Sequence, residues 1–214
     1  MKISLVINTK NPKLEWLKQA IESAQGFDEK VLYFDGQIAD EGLNKEYYGI
    51  KYLGDGQSRT IPEGFNHAIK QSNGNWICPF CDDDYFNSSH LEELLQEIRT
   101  GKFDDAGIIH FPIHTEGGSW GSAEVNDNIM ISNMIPFSSF IRREVFEMLG
   151  GYREDLKVYH DWNFWLRAYK AKVVFKFFSL PIYTFRMGHD SASHRQINEV
   201  GGQQIAAEMV RLHA

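Results

Sequence analysis

The sequence predicts an α/β fold built on a mostly parallel central sheet. Three observations carry the prediction. The chain opens with a strand, helix, strand succession, the signature of a parallel pair with its crossover. That alternation continues as far as residue 98. The composition is that of an ordinary globular domain with a substantial core: 214 residues, 43% hydrophobic and 24% charged.

The elements follow in order. Ile3-Ser-Leu-Val-Ile7 is a β-rich apolar run and reads as a first buried strand. Asn11-Pro12 reads as a helix start, because proline is tolerated in the first turn. Leu14, Leu17, Ile21 and Ala24 then form one helical face. Val31 to Phe34 is a second strand, stopped by Asp35-Gly36, and Ile50 to Leu53 a third. Pro62 to Gln71 reads as a helix ended by Ser72-Asn-Gly74. Trp76 to Cys81 is the next strand. A helix capped by Ser88 or Ser89 carries Leu91, Leu94, Leu95 and Ile98.

The second half is less regular. Ala106 to Ile113 reads as a strand and Glu116-Gly-Gly-Ser as a turn. Ser138 to Leu149 begins as a strand and becomes a short helix. Tyr159 to Ala171 reads as a helix with Trp162, Trp165, Leu166 and Tyr169 on one face. Val173 to Phe178 and Ile182 to Phe185 are strands, and Ile197 to Ala214 reads as a terminal helix. No repeat, low-complexity tract or linker interrupts the chain. Residues 1–214 are therefore expected to form one domain, with halves at 1–105 and 106–214.

The net charge of −7 offers no electrostatic footprint for a phosphate backbone, although a local basic groove is compatible with it. No run approaches the ~20 apolar residues of a membrane span, and the N-terminus does not read as a signal peptide. Cytoplasmic residence is the expectation. Cys78 and Cys81 stand in a C-P-F-C spacing that suits a redox pair or half a zinc site. With no second pair and a strand context, two small residues in a buried strand is the favoured reading.

Asp82-Asp83-Asp84 stands at the carboxyl end of a buried strand, where ligands bind in open α/β sheets. If the strand continues, alternation points Asp82 and Asp84 to one side and Asp83 to the other. Converging carboxylates repel unless a cation joins them, and their hard oxygens suit Mg²⁺ or Mn²⁺ bridging to a diphosphate. A solvated acidic loop that caps a helix is the alternative. Asp161 opens a predicted helix and could cap it, be catalytic, or both. Arg59 and Lys70 are expected to be solvated surface charges.

Taken together, these pieces resemble the inverting family-two glycosyltransferases of the GT-A fold. The motifs are Leu5-Val-Ile-Asn-Thr9-Lys-Asn11, Phe34-Asp35-Gly36, Asn66 to Lys70, and Pro79-Phe-Cys-Asp82-Asp-Asp84. Further matches are Phe140-Ile-Arg-Arg143 through Tyr152, Tyr159-His-Asp161-Trp-Asn-Phe-Trp165-Leu-Arg167, and Phe185-Arg186-Met-Gly-His189-Asp-Ser191-Ala-Ser193. Their order and spacing make the set specific. The family pattern has Glu where His160 stands, and often Asp where Asn163 stands.

The resemblance implies a Rossmann-like three-layer GT-A fold with a small second sheet on the acceptor side. It implies metal-assisted transfer of a sugar from a nucleoside-diphosphate donor, a UDP-sugar first, to a saccharide or other hydroxyl acceptor. A modified DNA base is a further option for the acceptor. Thr9, Asp35, Asn66, Asp82, Asp83 and Arg186 are the implied donor-binding residues. Asp84 and His189 are the implied ligands of Mn²⁺ or Mg²⁺, and Asp161 is the implied general base. His160, Trp162 and His110 are the implied acceptor-side residues, and a segment from His110 to Asn133 is expected to line that side. A sugar nucleotidyltransferase and a non-catalytic carbohydrate-binding module are the alternatives. Against the first, Asn8-Thr-Lys-Asn-Pro12 is not a glycine-rich nucleotide loop.

Overall fold

The computed structural model describes residues 1–37, 49–115, 117–156 and 158–187. The terminal helix expected at 197–214 and the proposed ligand His189 lie outside the described residues.

β1 (Ile3–Thr9), β2 (Glu29–Phe34), β3 (Ile50–Leu53) and β4 (Trp76–Cys81) run parallel to one another. Beyond β4 lie β9 (Phe140–Arg142), β6 (Ile108–His110) and β10 (Phe175–Phe177), giving the order β10-β6-β9-β4-β1-β2-β3. Only β9 runs against its neighbours, pairing antiparallel with both β4 and β6. β9 meets β4 at Trp76 and Ile77 alone, so that ladder stops before Pro79, which has no N–H to give.

Helices cover both faces, which is why the central strands read as continuous apolar runs. Ile3, Leu5, Ile7, Leu32, Trp76 and Phe80 pack on one side against α1 (Leu14–Ser23) and α3 (Ser88–Arg99). Val6, Val31, Tyr33 and Ile77 pack on the other against α2 (Ile61–Lys70), α4 (Arg143–Met148) and α5 (His160–Lys170). Each such buried side chain contributes roughly 1.5–3 kcal/mol against exposure. The result is helix, sheet, helix: three layers.

A second sheet of four short strands has the order β5-β11-β7-β8: β5 (Tyr85–Phe86), β11 (Tyr183–Thr184), β7 (Ile113–Thr115) and β8 (Gly118–Trp120). The run expected as one strand from Ala106 to Ile113 therefore divides. β6 stays in the main sheet and β7 crosses to the second, with Pro112 at the break. Helix starts also shift. α1 begins at Leu14, after Asn11 adopts a left-handed φ of 51°. Asn87, not Ser88 or Ser89, caps α3 by accepting from the His90 N–H. Thr60 and Glu63 close a reciprocal capping box on α2.

Candidate active site

Because β1, β2 and β4 are parallel, their carboxyl ends lie along one edge of the sheet. Thr9 ends β1, Asp35 follows β2, and the three aspartates follow β4. The Asp35 N–H donates to the Thr9 carbonyl at 2.8 Å, joining the first two. The Thr9 hydroxyl donates to Asp82, joining the third.

Asp35 is only 4% exposed. One carboxylate oxygen accepts from the Arg59 backbone N–H at 2.5 Å and the other pairs with the Lys10 ammonium at 2.8 Å. Lys10 also donates to Ser58 at 2.6 Å. Arg59 is not a free surface charge. Its guanidinium grips both oxygens of Asp55 at 2.7–2.8 Å and donates to the Tyr33 hydroxyl. No single motif signals this Tyr33–Asp55–Arg59 cluster, whose members come from a strand and the loop after β3.

The acidic triplet departs from the alternation expected of it. β4 ends at Cys81, and Asp82 and Asp83 form a turn. Asp82 is drawn toward Thr9, and it is Asp83 and Asp84 that gather with the Cys81 thiol, their ligand atoms within 4.8 Å of one another. Asp84 is 2% exposed, and its Oδ1 accepts from the Arg186 N–H at 3.0 Å. Burial above all, with the charge of Asp83 adding to it, pushes the Asp84 carboxyl well above the usual carboxylate range; Arg186 opposes the shift. Burial and then the charges of Asp83, Asp84, Asp82 and Asp161 push the Cys81 thiol up as well, so it stays protonated. This donor set is short of positive charge. Two carboxylates beside a neutral thiol fit a hard divalent cation better than a thiophilic one.

The same thiol locates Asp161, which lies within electrostatic reach of Cys81 along with the three turn aspartates. Asp161 stands in the first turn of α5 but does not cap it. The cap position is Tyr159, in the left-handed region at φ 53° and without a side-chain cap bond. The Asp161 carboxylate instead accepts from Asn133 Nδ2 at 2.9 Å. His160 is buried between the rings of Phe137 and Tyr152, at centroid distances of 5.7 and 5.4 Å. Neither ring nitrogen has a hydrogen-bond partner among the described residues. Burial lowers its pKa, the Asp161 charge opposing, so His160 is held neutral.

Four expected site residues make contacts within the fold. Asn66 spends its amide on a long-range tie: Nδ2 donates to the Tyr152 carbonyl and to Glu154, and Oδ1 accepts from the Tyr152 N–H, all at 2.8–2.9 Å. It thereby anchors α2 to the loop after α4. Trp162 is buried and donates to the Ile129 carbonyl at 2.7 Å. It braces α5 against the 3₁₀ turn Asp127–Met130. His110 lies in a separate cavity of about 590 Å³, beside Met130, Tyr169 and Phe175. Tyr169 is eight positions beyond Asp161 on α5, roughly 12 Å along the axis. Arg186 turns its guanidinium onto the Asp83 carbonyl and Gln19 rather than into the open edge.

Residues 4–151 of the chain match the family model of glycosyl transferase family 2. The chain is 31% identical over 115 residues to the uncharacterized glycosyltransferase YwdF of Bacillus subtilis (strain 168). That match covers 49% of this chain and 42% of the relative, so it spans less than half the relative's length. Among solved structures, S. aureus TarS 1–349 superposes with a TM-score of 0.69 at 17% identity, over 100% of this chain and 70% of that one. TarS 1–349 in complex with UDP-GlcNAc gives a TM-score of 0.73 at 16% identity, over 99% and 70%. The fold is GT-A, with its larger, mostly parallel sheet and its smaller second sheet. Since the family match covers well over half of the chain, and the three-layer architecture agrees with it, this chain belongs to glycosyl transferase family 2.

Proposed function

We propose that this chain transfers a glycosyl group from a nucleoside-diphosphate sugar, a UDP-sugar, to an acceptor hydroxyl with inversion at the anomeric carbon. The observation that carries the reading is the convergence on Cys81. The acidic turn at the end of β4 and the Asp161 carboxylate at the start of α5 lie within electrostatic reach of one thiol. A donor seated on the turn would lie in the field of the Asp161 carboxylate. The TarS structures that share the fold were solved with UDP-GlcNAc and with UDP, which supports a uridine nucleotide as the donor.

In this reading Asp35, fixed by Lys10 and the Arg59 N–H, accepts from the base of the nucleotide, and Asp82, fixed by Thr9, accepts from its ribose. Asp83 and Asp84, with His189 as a further ligand, would hold Mn²⁺ or Mg²⁺, which when bound offsets the negative charge of the departing diphosphate. Asp161 takes the proton of the acceptor hydroxyl as its oxygen bonds to the anomeric carbon. The bond to the diphosphate oxygen breaks on the opposite face, the proton ends on Asp161, and the nucleoside diphosphate departs. Residues 106–214 supply the acceptor side and 1–105 the donor side of one transferase domain. A saccharide is the proposed acceptor class. Among the described residues no helix is long and apolar enough to cross a membrane, and both cysteines are free. Cytoplasmic residence is proposed on the free cysteines, since a pair left unbridged suits a reducing compartment.

The test is incubation with UDP-, GDP-, ADP- and dTDP-sugars in the presence of Mn²⁺, following release of the nucleoside diphosphate. Release from a UDP-sugar supports the reading. Clear preference for a purine nucleotide contradicts the donor assignment. Pyrophosphate release from a nucleoside triphosphate and a sugar phosphate points to a nucleotidyltransferase, and no turnover with intact sugar binding points to a binding module.

A further inference from the structure

The strand register carries Arg186 to the acidic turn. β11 and β5 pair antiparallel, Thr184 with Tyr85 and Tyr183 with Phe86, and two more steps of the same register set Arg186 opposite Asp83. At that point the chain makes two bonds to the turn. The Arg186 backbone N–H donates to Asp84 Oδ1 at 3.0 Å, and its Nε–H donates to the Asp83 carbonyl at 2.6 Å. The guanidinium is itself held. One terminal nitrogen donates to Gln19 on α1. The planar group stands 5.2 Å from the ring centroid of Trp16, also on α1, and 4.8 Å from that of Tyr85. A residue far along the chain thus ties α1, β5 and the carboxyl end of β4 at one point.

Three consecutive aspartates repel one another, and a turn left to itself would splay its carboxylates apart. A guanidinium fixed by two aromatic faces and a side-chain amide offers a directed N–H and a positive charge at a set place. We infer that Arg186 is a positioning residue that sets the Asp83–Asp84 turn in the shape of a cation clamp, and is not itself a ligand of the donor diphosphate. This rests on the reading, given above, that the two aspartates hold a divalent cation. A lysine would keep the charge but lose the directed Nε–H, so it should not substitute.

The experiment titrates Mn²⁺ alone into the full chain, following free Mn²⁺ by electron paramagnetic resonance, and separately titrates UDP with Mn²⁺ present by calorimetry. The proteins are the wild type, Asp84→Asn, Arg186→Gln, Arg186→Lys and Trp16→Leu. Both Arg186 variants should bind Mn²⁺ about 10-fold more weakly, the usual minimum when a group that orients metal ligands is lost. Trp16→Leu, which removes one stacking face and keeps the arginine, should weaken it about 3-fold. If Arg186→Gln does not fold, Arg186→Lys and Trp16→Leu decide the matter. Wild-type Mn²⁺ affinity in Arg186→Lys would overturn the inference, because charge alone would then suffice. Unchanged Mn²⁺ affinity with lost UDP affinity in the Arg186 variants would overturn it too, by making Arg186 a direct donor ligand. Absence of Mn²⁺ binding in the wild type and Asp84→Asn alike would remove the cation reading itself, and the inference with it.

Discussion

Asn133 Nδ2 donates to Asp161 Oδ2 at 2.9 Å, linking the segment that follows the 3₁₀ turn to the first turn of α5. A carboxylate at a helix start would otherwise be free to choose among the first N–H groups of the helix. The amide holds it in one orientation, and the negative charge in turn fixes which end of the amide faces it.

Replacing Asn133 by Ala removes that restraint and leaves the donor site untouched. Turnover should fall about 10-fold, the scale of one hydrogen bond to a charged group, with UDP affinity unchanged. Steady-state kinetics beside a UDP titration checks this. An unaltered kcat would mean that the contact does not orient the base.

The proposed contact of Asp35 with the donor's base makes a separate prediction. Asp35 is buried between Lys10 and the Arg59 N–H, while Lys10 itself is largely exposed. Asp35→Asn therefore strands no buried cation and should cost little stability. It should weaken UDP binding about 10-fold by removing a charged acceptor. Equal affinity of the two proteins for UDP, by calorimetry, would remove Asp35 from the donor site.

His110 predicts how stability responds to acid. Burial lowers its pKa from 6.5 to about 4 in the folded chain. Between those values the unfolded chain takes up the proton and the folded chain does not, so stability is full above pH 6.5 and is lost as pH falls toward 4. At roughly 1.4 kcal/mol per pH unit the loss is about 3 kcal/mol. His110→Gln, which does not titrate, should flatten this part of the profile in urea melts taken from pH 7 to pH 4. A slope identical to wild type would show that other groups carry the acid response.

Much of this was legible in the sequence because burial on two faces leaves a plain mark. Val31–Phe34 and Trp76–Cys81 are apolar throughout and Ile3–Ile7 in all but Ser4, and the centre of the main sheet follows from them. The helical faces of α1, α3 and α5 were equally open, since a period near 3.6 is local. What escaped depends on contacts distant in the chain. Asn66 reads as a donor-site residue, and nothing local announces that its amide closes on Tyr152, 86 positions away. The alternation assumed for Asp82 and Asp84 fails because β4 ends at Cys81, before the triplet begins. The role of Arg186 is set by a pairing between β11 and β5, two-residue strands too short to announce themselves. Asn133 belonged to the segment expected on the acceptor side, yet nothing in its neighbours singles it out.

The proposed general-base role of Asp161 is the centre of the account, and one variant tests it most directly. Asp161→Asn keeps the shape of the side chain and removes the proton acceptor. With a UDP-sugar and Mn²⁺, the rate of UDP release should fall by at least about 100-fold, equivalent to about 2.7 kcal/mol of barrier, while the Kd for UDP stays within about twofold of wild type. Release at near wild-type rate by Asp161→Asn would contradict the account.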